Sequence, residues 1–463
     1  MSAFLHLSSE LQESCKTIAE EVNKAGGRAV LVGGCVRDAL LGLTPKDADI
    51  EVFGVNSDKL EEILRQKFKI IPIGKAFGVL KIKHLEIDVS IPRRESKIGL
   101  GHKGFKIEGD PKLSFAEAAS RRDFTINAIS WDPLTNETID PFNGREDLQK
   151  KVLRHVSNKF EEDPLRVLRA MQIAARFELK VDPKTISLCQ RIEPENLPKE
   201  RIFGEWKKLI TKGTVISTGL NFLKDCRWIQ YYPELESLIG CEQDPQWHPE
   251  GDAWVHTLHC MDAFAHERIN DEKEDLVVGL GVLCHDMGKP LTTFRDEDGH
   301  IRSPGHDIAG VPIAEKFLRG MTEEKTLIES VLVLVETHMR PAELYKTQSS
   351  NSAIRRLANK VGRVDRLIRV VSADMQGCPP KDNSAFFEGL KWFEKQGELL
   401  KIMDNAPKPI LLGRHLIAMG LSPGSQFKKI LTDCFEAQLD GQFGNLEEGL
   451  KYLKDYLKNH NIS

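Results

Sequence analysis

The chain has 463 residues, more than one hydrophobic core ordinarily organises, which predicts two to four domains. Hydrophobic residues make up 40% and charged residues 29%. No run of eighteen apolar residues occurs and no basic, apolar and small-residue succession opens the chain, so a helical membrane protein is excluded and a soluble, uncleaved protein with no membrane partner is expected. A net charge of −4 does not announce a polyanion-binding protein, and nine cysteines without a CxxC pair argue against disulfides and zinc ribbons and for a reducing cytoplasm.

Residues 1–145 mix strand and helix signals. Residues 29–32 read as a short apolar strand, Gly33-Gly34 as a turn and 36–41 as a helix; 50–53, 79–82 and 87–91 read as further strands, which gives an α+β or α/β region. At Val32-Gly33-Gly34-Cys35-Val36-Arg37-Asp38 a strand passes through glycines into a helix, where bare backbone N–H groups can approach a triphosphate. Asp47-Ala48-Asp49 then runs into the next strand, and carboxylates at i and i+2 of a strand point to the same side. Two such anions repel unless cations lie between them, and an oxygen-only ligand set suits Mg²⁺ in a two-metal displacement. Asp88, on the strand 87–91, is a third candidate carboxylate. A glycine pair alone is a turn and an Asp-x-Asp alone is a loop or a cap; their order carries the signal.

From about Asn158 onward helical spacing takes over, beginning with Leu165, Leu168 and Met171, and the remainder is expected to be all-α. Breaks at 193–198, 240–251, 378–380 and 406–409 are candidate linkers. Trp206, Trp228, Tyr231 and Tyr232 read as helix packing, and His415 as a polar helix residue. The window 355–369 carries Arg355, Arg356, Lys360, Arg363, Arg366 and Arg369 against Asp365; a solvated helix face explains it as well as a phosphate-tracking stripe.

A second chemistry lies between Asp252 and Asp374. His256 falls in a predicted helix 254–264, His285-Asp286 ends the apolar helix 276–284, His338 closes 331–336, and Asp374 closes 367–371. Three apolar helices thus end in metal-type ligands. Imidazoles with carboxylates suit a divalent transition metal, which acidifies a bound water for phosphoester hydrolysis.

These motifs carry a resemblance. The run from Gly33 to Gly42 through Asp47-Ala48-Asp49, together with Arg121-Arg122-Asp123-Phe124-Thr125-Ile126-Asn127-Ala128, resembles the class II tRNA nucleotidyltransferase and bacterial poly(A) polymerase superfamily. Asp140 to Leu148 resembles the segment that hinges head to neck there, and Glu162-Asp163-Pro164-Leu165-Arg166 is similar to the motif that reads the incoming base. The resemblance implies a polymerase-β-like head at 1–145, a base-selecting neck at 146–205, a body at 206–245, and tRNA, CTP and ATP as partners. It also implies catalytic Asp47, Asp49 and Asp88, and nucleotide contacts from Gly34, Arg37, Arg121, Arg122, Asp123, Asn127, Asp163, Arg166 and Arg169. Asp163 and Arg166 offer acceptors and donors that match a base edge, although Asp163 before Pro164 also reads as a helix cap. Residues 93–111, with Gly99, Gly101, Gly104 and Gly109, read as a mobile loop of the sort that governs a switch from C to A.

The histidine and aspartate pattern resembles the HD phosphohydrolase superfamily, which implies a metal set of His256, His285, Asp286 and Asp374 within 246–380. His306 and His338 match positions used there for a second metal or for phosphate, and 381–463 is expected to be a further helical region. The expectation is a CCA-adding enzyme with a second, hydrolytic site. Two other readings stay open: an enzyme of the same fold that adds only A, only CC or poly(A), and a metal phosphohydrolase whose head merely binds RNA.

Overall fold

The computed structural model describes residues 7–73, 79–97, 105–195, 197–378 and 384–462, and divides into two compact units, Met1–Tyr231 and Tyr232–Ser463. Among the described residues no helix is long and apolar enough to cross a membrane.

The first unit opens with α1 (Ser9–Lys24), started by the Ser8 side chain and burying Leu11, Cys15, Ile18 and Val22 at helical spacing. Then follow β1 (Arg28–Val32), α2 (Gly34–Leu40), β2 (Ala48–Phe53), α3 (Ser57–Arg65), β3 (Ile70–Ile73), β4 (Val79–Ile82), β5 (Ile87–Ser90), β6 (Arg93–Lys97) and β7 (Phe105–Gly109). After α4 (Phe115–Ala119) come β8 (Ser130–Trp131) and β9 (Thr138–Ile139). Seven of these strands form a mixed sheet in the order β3-β4-β5-β2-β1-β8-β9. β2 is flanked on one side by antiparallel β1 and on the other by parallel β5, so it is central; its apolar residues Ile50 and Val52 are buried with Ile18, Leu60 and Val89, and its acids Asp49 and Glu51 alternate with them. β6 and β7 pair apart from this sheet from Arg93↔Gly109 to Lys97↔Phe105. The expected loop at 93–111 therefore has two strand arms, while Gly99, Gly101 and Gly104 lie outside the described residues.

The second half of the unit holds α5 (Gly144–Gln149), β10 (Val152–Leu153), α6 (Leu165–Phe177), β11 (Lys180–Val181), α7 (Pro183–Cys189), α8 (Lys199–Lys212) and α9 (Ile216–Asp225). β10 and β11 form a parallel pair, so a strand occurs where only helices were expected; two residues are too few to show a period. α6 packs on α8 and α9. The close approach uses Gly219, where a Cβ would lie 2.5 Å from the Met171 carbonyl oxygen. Trp206 and Trp228 are buried, and the Trp228 indole donates to the Ile192 carbonyl at 2.8 Å, which fits packing rather than a stacking platform.

The second unit contains α10 (Pro233–Glu236), α11 (Ala253–His266), α12 (Glu272–Cys284), α13 (Lys289–Thr292), the antiparallel pair β12 (Phe294–Arg295) and β13 (Ile301–Arg302), α14 (His306–Met321), α15 (Lys325–Thr337), α16 (Arg340–Lys346), α17 (Asn351–Val361), α18 (Val364–Gly377), α19 (Ser384–Leu399), α20 (Gly413–Ala418), α21 (Gln426–Leu439) and α22 (Leu446–Asn459). α11, α12, α15 and α18 pack on one another. α12 shows no amphipathic pattern because it is buried from Glu274 to Cys284. α20, α21 and α22 close a separate small core around Leu416, Ile430 and Leu453. His415 accepts from the Leu412 N–H at 3.0 Å and so serves the start of α20.

The basic window 355–369 is divided: Arg356 and Lys360 stand on a solvated face, whereas the Arg366 and Arg369 side chains are only 14% exposed. Arg366 grips Glu274 with two bonds of 2.6 and 2.8 Å, Arg369 meets Asp275 at 2.5 Å, Lys360 meets Glu336 at 2.5 Å, and Arg356 meets Asp440 at 2.8 Å. These cations clamp helices together.

Candidate functional site

In the first unit, three strand ends converge. Val32 on β1 lies opposite Asp49 on β2, and Asp49 lies opposite Asp88 on β5. The chain leaves β1 through Gly33 at φ +78°, where a Cβ would sit 3.1 Å from Arg122 Nη1 and 3.6 Å from Asp49 Oδ2. Glycine alone takes that conformation freely and leaves the space above the carboxylates open. Gly34 begins α2. Asp47, in the loop before β2, is exposed, and Asp49 also reaches solvent. Even so, crowding by the surrounding protein pushes the Asp49 carboxyl up to about 6; Arg122 opposes the rise, while Asp47, Asp88 and Glu51 add to it. Asp88 Oδ1 is buried and has no hydrogen-bond partner among the described residues. Clustered carboxylates, one holding a bare buried oxygen, are a donor set that fits a hard divalent cation.

Sequence reasoning passed over Glu51, although Asp47, Asp49 and Glu51 continue one alternation along the strand. Glu51 is 2% exposed, and Arg121 Nη2 donates to its Oε1 at 2.9 Å while Arg122 Nη2 lies 3.6 Å from Oε2. A buried acid thus holds both arginines beside the aspartates.

Four expected nucleotide residues form a connected network. Arg37 is buried, donates through Nη1 to Asn127 Oδ1 at 2.6 Å and through Nε to Asp38 Oδ1 at 2.8 Å, and lies over the Phe177 ring at 4.4 Å. Asn127 Nδ2 donates to Asp123 Oδ1 at 2.9 Å, and Arg169 grips Asp123 Oδ2 through Nε at 2.8 Å and Nη2 at 2.6 Å. Burial alone would raise the Asp123 carboxyl, but Arg169, Asn127 and the Phe124 N–H hold it below the ordinary carboxylate range. α2 is tied to α6 through this chain.

Asp163 Oδ1 accepts from the Leu165 N–H at 3.2 Å, so the capping role is present. Its Oδ2 accepts from Arg201 Nη2 on α8 at 2.8 Å, a partner the sequence did not signal. Arg166 donates to the carbonyls of Lys159 and Arg121, both at 2.7 Å, which fastens the turn before α6 to the arginine pair.

In the second unit, His256, His285, Asp286 and Asp374 come together with His306 and His338. His256 Nδ1 faces Glu250 Oε1 at 2.8 Å and its Nε2 faces Asp374 Oδ1 at 2.9 Å; His285 Nε2 lies 3.3 Å from Asp286 Oδ2 and 3.6 Å from Asp374 Oδ1. Asp374 lies inside α18, which runs on to Gly377, rather than beyond its end as expected, because α18 buries Val371 and Ala373 and has no reason to stop there. His285, His306 and His338 each turn Nδ1 back on the carbonyl three residues earlier, at 2.7, 2.8 and 2.7 Å, which fixes Nε2 as the free nitrogen. His306 Nε2 meets His338 Nε2 at 3.1 Å and Asp286 Oδ1 at 3.4 Å. Two Nε2 atoms head on need a shared proton or a cation between them. Burial first, then His285 and His306, push His338 down to about 4, so its ring is neutral at pH 7. His285 moves the other way: burial would lower it, yet Asp286 and Asp374 hold it above the usual imidazole range. A proton held by such a cluster is one that a divalent cation displaces.

These groups open on a cavity of about 500 Å³ whose lining includes Asp286, Lys289, His306, His338 and Asp374. Buried Lys289 donates to Gln243 at 2.5 Å and pairs with Asp286 at 2.7 Å. Lys289 and Glu250 escaped sequence reasoning. The lysine follows Asp286 by three residues, a usable signal, whereas Glu250 sits in a segment taken for a linker.

Family models match both units: "Poly A polymerase head domain" over residues 29–154 and "HD domain" over 254–369. The chain is 31% identical over 404 residues to a multifunctional CCA protein of Nitrosococcus oceani, covering 84% of this chain and 93% of that one. It is 33% identical to that of Xanthomonas oryzae pv. oryzae over 414 residues, 87% and 95% of the two chains. Among solved structures, a Bacillus stearothermophilus CCA-adding enzyme in complex with CTP superposes with a TM-score of 0.67 at 20% identity over 97% of this chain and 98% of that one, and a Thermotoga maritima CCA-adding enzyme complexed with tRNA with 0.58 at 18% over 98% of both. By its identity and coverage to two curated relatives, and with both units matched, the chain belongs to the multifunctional CCA protein family.

Proposed function

We propose that this protein adds CCA to the 3′ end of tRNA from CTP and ATP without a nucleic-acid template, and that its second unit hydrolyses phosphoesters. The observation that carries the first activity is the convergence of Asp47, Asp49 and Asp88 at one end of the sheet, with Asp88 Oδ1 bare and buried, under the Gly33 turn. Mg²⁺ held by these carboxylates would offset the triphosphate charge and favour ionisation of the attacking 3′-hydroxyl. Glu51 positions Arg121 and Arg122, and Arg122, beside Gly33, places positive charge where phosphates approach. The network Asp38–Arg37–Asn127–Asp123–Arg169 fixes α2 against α6 and hence the glycine turn against the base-reading residues. Asp163 and Arg166 supply the acceptor and donors for the base edge, with Arg201 yielding or sharing Asp163 Oδ2 when a nucleotide arrives. On this reading 1–145 is the head, 146–205 the neck and 206–245 the body.

For the second activity, His256, His285, Asp286 and Asp374 would hold a divalent transition metal, with His306 and His338 beside it, and that metal would supply Lewis acidity toward a phosphoester. Lys289 keeps Asp286 ionised and oriented. Replacing Asp47 and Asp49 by Ala should abolish CTP and ATP incorporation and spare 2′,3′-cyclic phosphodiesterase activity. Incorporation unchanged in that variant contradicts the head assignment, and loss of both activities contradicts their separation.

A further inference from the structure

Two residues before α11 and one just after α18 extend the same helix pair that supplies His256 and Asp374. His248 Nδ1 lies 2.9 Å from Glu250 Oε1, and Cys378 Sγ lies 3.6 Å from His248 Nδ1 and 3.5 Å from Glu250 Oε1. The candidate ligand atoms of His248, Glu250, His256 and Cys378 all fall within 4.8 Å of one another. Glu250 is the unusual member. Its side chain is 0% exposed, both histidines crowd its Oε1, and its Oε2 is buried with no hydrogen-bond partner among the described residues. A buried carboxylate oxygen is seldom left bare unless something outside the protein satisfies it.

The geometry points to a thiolate-containing cation site made by His248, Glu250 and Cys378, separate from the set of His256, His285, Asp286 and Asp374. Tetrahedral bonds of roughly 2.0–2.3 Å give ligand-to-ligand edges of roughly 3.3–3.8 Å. The three observed edges lie within a few tenths of an ångström of that range, so small side-chain shifts suffice. One sulfur, one nitrogen and one oxygen donor select a borderline-soft divalent cation such as Zn²⁺ or Co²⁺ over Mg²⁺. His256 stays with the first set, since its Nε2 faces Asp374 and its Nδ1 donates to Glu250 Oε1. Glu250 thereby links the sites: its Oε1 accepts from His256 and faces the cation position between His248 and Cys378, with the bare Oε2 beside it as a second oxygen donor. His248 and Cys378 line the cavity, so the remaining coordination position opens on it.

The test titrates the reduced full-length chain with Co²⁺ and reads the near-ultraviolet thiolate-to-cobalt band, which oxygen and nitrogen ligands do not produce. The band should appear in the wild type and vanish in Cys378→Ser, and the Co²⁺ concentration needed to develop it should rise at least tenfold in His248→Ala. It should persist in Cys260→Ser and in His285→Ala, and metal content should fall by one equivalent in Cys378→Ser. Far-ultraviolet circular dichroism checks that each variant folds; if Cys378→Ser does not, the His248→Ala shift decides. Absence of the band in the wild type, its loss in Cys260→Ser with retention in Cys378→Ser, its loss in His285→Ala, or an unshifted His248→Ala titration overturns the proposal. Because the readout is spectral, failure of the phosphodiesterase assay leaves this inference standing.

Discussion

Asp123→Asn tests the network that ties α2 to α6. Asp123 is 7% exposed and accepts four hydrogen bonds, two of them from Arg169, whose side chain is 35% exposed. Breaking a fully buried pair costs about 3–5 kcal/mol; partial exposure of Arg169 and the near-identical shape of Asn bring the expected loss to about 2–3 kcal/mol. The sign with pH follows from the carboxyl lying lower in the folded protein than in the unfolded chain. Its stabilisation is complete above the unfolded value near 3.9 and fades as pH falls through the folded value. Urea unfolding of the full chain, followed by hydrogen exchange in α6, should show the gap between wild type and variant at pH 7 and its closure in strong acid. A gap that persists unchanged into acid would mean that packing, not the charge pair, holds the helices, and no gap at pH 7 would refute the network.

Further outcomes follow from the same geometry. Gly33→Ala forces a Cβ into a positive-φ turn 3.1 Å from Arg122 Nη1, so kcat/KM for CTP should drop at least about tenfold, about 1.4 kcal/mol, with stability lowered by about 1–2 kcal/mol, as paired kinetics and thermal unfolding will show. With the Asp49 carboxyl pushed up to about 6, proton and Mg²⁺ compete below that pH; incorporation at limiting Mg²⁺ should fall as pH drops from 7 to 5 and recover when Mg²⁺ is raised. An acid loss that Mg²⁺ does not rescue contradicts this. His306→Ala and His338→Ala should reduce bound transition metal and phosphodiesterase activity while leaving CTP incorporation intact, measured by elemental analysis and parallel assays.

Much of this was legible because the signals are local. The Val32-Gly33-Gly34 turn, the Asp47-Ala48-Asp49 pair and the His285-Asp286 helix end are written in a few consecutive residues, and the structure brings Asp49 beside Asp88 and gathers the four HD residues with His306 and His338. What escaped depends on partners far along the chain. Arg366 and Arg369 of the basic window 355–369 are answered by Glu274 and Asp275, some ninety residues earlier, so no local charge pattern could show that this end of it was largely buried. Arg201 finds Asp163 only once α8 packs on α6. Glu250 fell in a Pro- and Gly-punctuated stretch that resembles a linker, and β10, β11, β12 and β13 are two-residue strands below the length at which alternation speaks. Glu51 was within reach, since it continues the alternation of Asp47 and Asp49.

The central claim is tested most directly by offering the purified protein three tRNAs, ending before CCA, after C and after CC, with labelled CTP and ATP, and sequencing the product ends. The account predicts completion of CCA on all three, in order and without further extension. Incorporation of A alone onto the CC-ended tRNA, addition that stops at CC, or a run of A residues would contradict it.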